Sequence, residues 1–127
     1  MDYVDSQGKG ESYSRTHKHI IIRLLNEPIT HKEMTGFIEG LKEQGILPKD
    51  VRVFWGKENK TTYGNWGLAY YVKKEIIIKR RCVGTFLHEV AHFVDVFYHE
   101  NSPGHSHSFG QCYDRLIVMW ENNETKY

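Results

Sequence analysis

No stretch of the chain approaches the roughly 20 consecutive apolar residues that a bilayer-spanning helix needs. The opening residues, Met1-Asp2-Tyr3-Val4-Asp5, lack the basic and then apolar pattern of a secretion signal, so a cytoplasmic protein with no membrane partner is expected. Cysteine is scarce: Cys82 and Cys112 are the only two, and they form no C-x-x-C pair. Neither a cysteine-based zinc site nor a thioredoxin-type redox motif is suggested, and buried free thiols are expected. Charge of one sign is also missing, since 17 Lys and Arg stand against 16 Asp and Glu for a net charge of +1. A dedicated nucleic-acid binder carries a strongly basic balance or patch. Weak or absent nucleic-acid binding is therefore expected, and the one compact basic cluster, Lys73, Lys74, Lys79, Arg80 and Arg81, reads as a solvated strand edge. Internal repeats and low-complexity segments are lacking too.

What is present fits one small domain. A chain of 127 residues with 39% hydrophobic and 26% charged residues can bury a modest core and matches ordinary globular composition; a monomer is expected. Residues 1–13 carry Gly8, Gly10 and several polar side chains and are expected to be a flexible N-terminus, leaving 14–127 as the domain. Arg15 to Leu25, with Ile20, Ile21, Ile22, Leu24 and Leu25, is short enough to be helix or strand; Pro28 as a stop and the long-chain polar flanks favour a helix. Thr30-His31-Lys32-Glu33 has the form of a capping box, in which Thr30 and Glu33 satisfy each other's backbone N–H groups. Met34, Phe37, Ile38 and Leu41 follow at helical spacing, with Gly45 and Pro48 beyond, which predicts a helix over about 31–44. Three strand-like runs come next: Val51 to Trp55, Trp66 to Val72 and Glu75 to Lys79. Turn chemistry separates the first two, and a tight connection joins the others. The expected fold class is α+β: a short, mostly antiparallel sheet of about three strands, with helices packed on one face.

The richest local feature is histidine. Five of the eight histidines lie between positions 88 and 107. From Gly84 to His99, Phe86, Leu87, Val90, Phe93, Val94, Phe97 and Tyr98 share one broad helical face, while His88, His92, Asp95 and His99 share the opposite stripe. Residues four apart on a helix are neighbours, so the imidazoles of His88 and His92 can both reach one zinc ion. Glu89 projects from the adjoining edge, where it can serve as a general base. Two ligands and one base is the division of labour in H-E-x-x-H. The opposing view is a surface helix carrying two satisfied histidines. A catalytic zinc site needs a third protein ligand and an open position. The chain breaks at Pro103-Gly104, and either His105 or His107 could return to the metal; His99 lies too far along the helix axis. Ser108 with Gln111 has the form of another capping box, opening a last helix through Phe109, Tyr113, Leu116 and Trp120.

With Gly84-Thr85-Phe86-Leu87-His88-Glu89-Val90-Ala91-His92 followed by Gly104-His105-Ser106-His107-Ser108-Phe109, the sequence resembles the zinc-peptidase core of SprT-like and Spartan-like proteins over about residues 50–120. The family's second half commonly reads Gly-His-Gly-x-x-Phe, so the resemblance favours His105 over His107. Ser106 and Ser108 depart from that pattern, standing where glycine and an acidic residue are usual. The resemblance implies a zincin-like domain with H-E-x-x-H on a core helix, a Zn2+ cofactor held by His88, His92 and His105, and Glu89 as the catalytic residue. It does not transfer the DNA–protein crosslink repair role. The metzincin pattern is set aside because Asp95 and Tyr98 stand where it needs glycine and histidine.

The expected activity is metallopeptidase cleavage of a protein or peptide substrate, with Glu89 assisting attack of a zinc-bound water. Tyr63, Tyr70, Tyr71 and Tyr113 are candidate donors to the oxyanion. Asp95 is either a carboxylate that orients a ligand imidazole or an exposed helix residue. A strand edge near Trp66–Tyr71 could take an extended peptide. The alternatives are a regulatory peptidase that cleaves a repressor and a non-catalytic, zinc-stabilised binding module.

Overall fold

The computed structural model describes residues 18–122; the expected flexible stretch 1–13 lies outside them. The order is α1 (Lys18–Leu24), α2 (His31–Glu43), β1 (Arg52–Trp55), β2 (Gly67–Tyr70), β3 (Glu75–Ile78), α3 (Val83–Phe93), one π-helical turn (Val94–Tyr98) and α4 (His107–Glu121). No helix among the described residues is long and apolar enough to cross a membrane.

Local chemistry accounts for α2. Thr30 adopts extended backbone and its hydroxyl accepts from the Glu33 backbone N–H at 3.1 Å, while the Thr30 N–H donates to the Glu33 carboxylate at 2.9 Å. Gly45 lies just past the C-cap at φ +74°, a left-handed conformation that glycine adopts without a Cβ clash. Met34, Phe37, Ile38 and Leu41 are buried, the face that the spacing predicts. The three strands also fall within the expected segments.

The sheet is mixed, a correction to the mostly antiparallel pairing expected. Its order is β1-β3-β2, with β1 parallel and β2 antiparallel to β3. The hairpin between β2 and β3 is closed by the turn at 71–74, where Lys74 takes φ +54°. The connection from β1 to β2, residues 56–66, is instead long enough to pass the end of β3. Asn59 organises it: its amide donates to the carbonyls of Tyr63 and Asn65, and its side-chain oxygen accepts from the Thr61 N–H and hydroxyl. The Trp66 carbonyl then accepts from the N–H groups of Lys79 and Arg80, fastening the crossing to the end of β3.

Register puts Val53, Ile76 and Ala69 in one row, with Ile78 opposite Gly67 and Trp55. That face meets the helices: α3 packs over β2 and β3, and α2 over β1. The other face carries the Arg52–Glu75 ion pair and Phe54. At the far side of α3 lies α4. The rings of Phe37, Phe86 and Trp120, with centroids 5.4–6.3 Å apart, join α2, α3 and α4. Next to α1 the approach is closer still, since a Cβ on Gly84 would come within 2.8 Å of the Leu25 side chain.

Because the capping box satisfies two N-terminal backbone donors of α2, Thr30→Ala is expected to lower stability by about 1 kcal/mol, read from the midpoint of urea denaturation with the slope unchanged.

Candidate metal centre

Every residue of α3 is buried. The part of the histidine stripe that lies on α3, His88 and His92, therefore does not face water, as it would on a surface helix. It is covered by α4 and by the segment that precedes it. His88 and His92 are 3% and 1% exposed, and Glu89 is 0% exposed. Burying imidazole and carboxylate groups is costly, and such groups concentrate where chemistry needs them.

The helix supplies two of the three imidazoles, and a chain reversal supplies the third. Beyond Phe93 the helix widens into the π-helical turn, closed by the His99 N–H donating to the Val94 carbonyl at 3.1 Å. Turns of this kind occur frequently at functional sites. Glu100 then takes φ +55° and Gly104 φ +146°, and the chain returns to place His105 against His88. Their Nε2 atoms are 3.2 Å apart. One ligand nitrogen from each of His88, His92 and His105 lies within 4.8 Å of the others. Two nitrogens each bound to a tetrahedral zinc at its usual bond length lie roughly 3.3–3.4 Å apart, so the His88–His105 separation suits a shared ion. The three residues could hold a metal ion.

His107 is not in this group. It is exposed, the first residue of α4. The reason is the cap. Ser106, not Ser108, is the N-cap: its hydroxyl accepts from the Phe109 N–H at 3.3 Å, and Ser108 bonds Ser106 instead. The helix thus starts two residues earlier than the Ser108–Gln111 pattern suggests, which leaves His105 on the incoming chain. His99 is exposed as well and lies outside the trio.

Phe109 serves all three imidazoles. Its ring stacks on His92 at 4.3 Å and meets His88 at 4.9 Å and His105 at 5.1 Å. One turn on, Tyr113 packs edge-on against His88 and donates its hydroxyl to the Gly84 carbonyl at 3.0 Å. Of the other tyrosines weighed as oxyanion donors, Tyr71 is buried against Phe93 and Phe97, Tyr70 lies under the Lys73 ammonium and Tyr63 is exposed on the 56–66 connection.

Two residues hold places that local spacing does not reveal. Gly67, on β2, faces Glu89: a Cβ there would lie 2.7 Å from the Glu89 Cγ and Oε2. The signal was a glycine inside an aromatic strand, which often marks the close approach of another group. Asp95 is buried, contrary to its reading as an exposed residue. Its Oδ1 accepts from the Asn101 side-chain amide at 2.9 Å, so the hydrogen bond resolved there goes to the reversal and not to an imidazole. Burial pushes the neighbouring Cys112 thiol up to about 12, with the Asp95 carboxylate adding to the shift.

The basic cluster is more structured than a solvated edge. Arg80 stacks over Trp66 at 4.5 Å, Arg81 over Trp55 at 4.9 Å and Lys73 over Tyr70 at 5.5 Å, within the range of cation–π attraction. Lys74 reaches Phe97 and pairs with Asp50, whose carboxyl it holds below its ordinary value by a hydrogen bond.

Comparison with protein-family models, characterised proteins and solved structures found no match to the chain. The geometry of the trio thus stands alone, and it generates a direct test. Replacing His88, His92 or His105 singly by alanine is expected to abolish stoichiometric metal uptake, with His99→Ala and His107→Ala retaining it, as read by metal analysis of each purified variant after dialysis.

Proposed function

We propose that the chain is a zinc-dependent metallohydrolase, a minimal metallopeptidase of the SprT-like kind that cleaves peptide bonds. The observation that carries this reading is the convergence of His88, His92 and His105 within 4.8 Å, with Glu89 adjoining them on α3. Three nitrogen ligands and a remaining position are the donor set of a catalytic zinc site. Zinc, when bound, supplies Lewis-acid polarisation of a carbonyl and lowers the pKa of a coordinated water.

The chain's own residues provide the rest. Glu89 accepts a proton from the nucleophile and returns it to the leaving amine. Its seat against Gly67, which leaves room only because no Cβ is present, fixes where its carboxylate sits. Strand β2 is at the edge of the sheet, so an extended peptide pairing along it would pass beside Glu89, with main-chain hydrogen bonds supplying affinity. Phe109 keeps water from one side of the imidazoles.

One rival reading draws on the same burial. A zinc-stabilised binding module would also enclose its ligands, but it would need no carboxylate at position 89. Two substitutions separate the readings. Glu89→Gln is expected to retain metal and fold while lowering peptide hydrolysis by at least ~10²-fold; unchanged turnover would remove Glu89 from the reaction, and no turnover by either protein on any peptide would favour the module. Gly67→Ala is expected to push the Glu89 side chain aside, lowering hydrolysis by about 10²-fold, as small displacements in active sites do, with metal content preserved.

A further inference from the structure

The reversal that brings His105 home has little regular structure of its own. From His99 to Ser106 it forms neither helix nor strand, and Glu100 holds a left-handed conformation that non-glycine residues rarely adopt. Something must hold it. Asn101 makes two bonds to one residue: its side-chain amide donates to the Asp95 Oδ1 at 2.9 Å, and its backbone N–H donates to the Asp95 carbonyl at 3.0 Å. Asp95 is 1% exposed, fixed in the π-helical turn one residue beyond the end of α3's cap. Its Oδ1 is also 4.0 Å from the Cys112 sulfur of α4, so the same carboxylate adjoins all three segments that frame the site. Among the described residues, nothing hydrogen-bonds its second oxygen, Oδ2. A buried carboxylate with one oxygen unserved is an expensive way to end a helix, which argues that the remaining bond does more than terminate α3.

We infer that Asp95 and Asn101 are positioning residues for the third ligand: together they hold the reversal in the conformation that sets the His105 imidazole beside those of His88 and His92. Asn101 precedes His105 by only four residues, and the Glu100 backbone leading into it is the strained point that the latch restrains. With the latch closed, the third nitrogen is in place before any ion arrives. With it open, each binding event must first order the loop. Groups that hydrogen-bond a ligating imidazole directly govern metal affinity by about 10- to 100-fold; a latch acting on the loop that carries the ligand is expected at the lower end of that range. The inference rests on the trio being a metal centre and does not depend on hydrolysis.

The test uses the full chain and zinc alone, with affinity measured by competition against a chromophoric chelator and the ligand field read from the visible spectrum of the cobalt(II) form. Asn101→Ala removes an exposed side chain and is expected to weaken zinc about 10-fold or more, with a cobalt spectrum shifted toward that of His105→Ala. Asn101→Asp sets two carboxylates face to face and should bind more weakly still. Asp95→Asn keeps an acceptor oxygen and should restore affinity to near wild type. Thermal denaturation of the metal-free proteins provides the control. A lowered Tm for Asn101→Ala with unchanged zinc affinity and an unchanged cobalt spectrum would make the bond merely structural and overturn the inference. If wild type binds zinc and His105→Ala binds it equally well, the trio itself is refuted, and the latch with it.

Discussion

The 3.2 Å approach of two imidazole nitrogens seventeen residues apart constrains much of the domain. A straight continuation of α3 would carry the chain away from His88, so the helix has to stop, widen and turn back within a dozen residues. The π-helical turn ends it, Glu100 and Gly104 absorb the change of direction, and Ser106 starts α4 at once so that Phe109 lands on the imidazoles. Moving the cap to Ser108 would extend the incoming chain by two residues and displace both His105 and Phe109.

Enclosing such a centre sets the architecture around it. A helix with polar residues on one stripe ordinarily turns that stripe to water. Here both sides of α3 are covered, one by the sheet, which also meets Glu89, and by α1, the other by α4 over His88 and His92. The domain's stability rests on apolar contacts such as the Phe37–Phe86–Trp120 cluster. Those contacts must outweigh the desolvation of His88, Glu89, His92 and Asp95. The glycines at 67 and 84 are the points of closest approach, one admitting a carboxylate and the other a neighbouring helix.

Local patterns in the sequence were readable wherever the physics is local. Thr30 and Glu33 announce a helix start because both partners lie within one turn, and the i, i+4 spacing puts His88 beside His92 for the same reason. Choosing between His105 and His107 was not readable from the residues, because it depends on which of two serines caps α4; resemblance pointed to His105, and the Ser106 cap gives the physical cause. Strand order was equally hidden. Alternation of side chains shows that Val51–Trp55 and Glu75–Lys79 are strands, but not that they run parallel, which follows from the long crossing organised by Asn59. Gly67 against Glu89 and Asn101 on Asp95 link residues through space, and no spacing rule reports a contact that only the finished fold creates.

All the residues assigned to the centre, from Gly67 through Tyr113, fall in one continuous stretch, while α1, α2 and β1 meet it through apolar packing, backbone hydrogen bonds and, from β1, the Arg52–Glu75 ion pair and the Trp55–Arg81 stack. The chain is thus divided between a segment that carries the candidate centre and an N-terminal remainder that packs against it. In the N-terminal remainder, volume and periodicity matter more than residue identity, since cores accept many apolar substitutions when total volume and patterning are kept. In the segment that carries the centre, a few fixed points are separated by residues that need only fill space. Such a molecule can drift far in sequence without losing its centre, and its ancestry would survive mainly in the order and spacing of a handful of side chains.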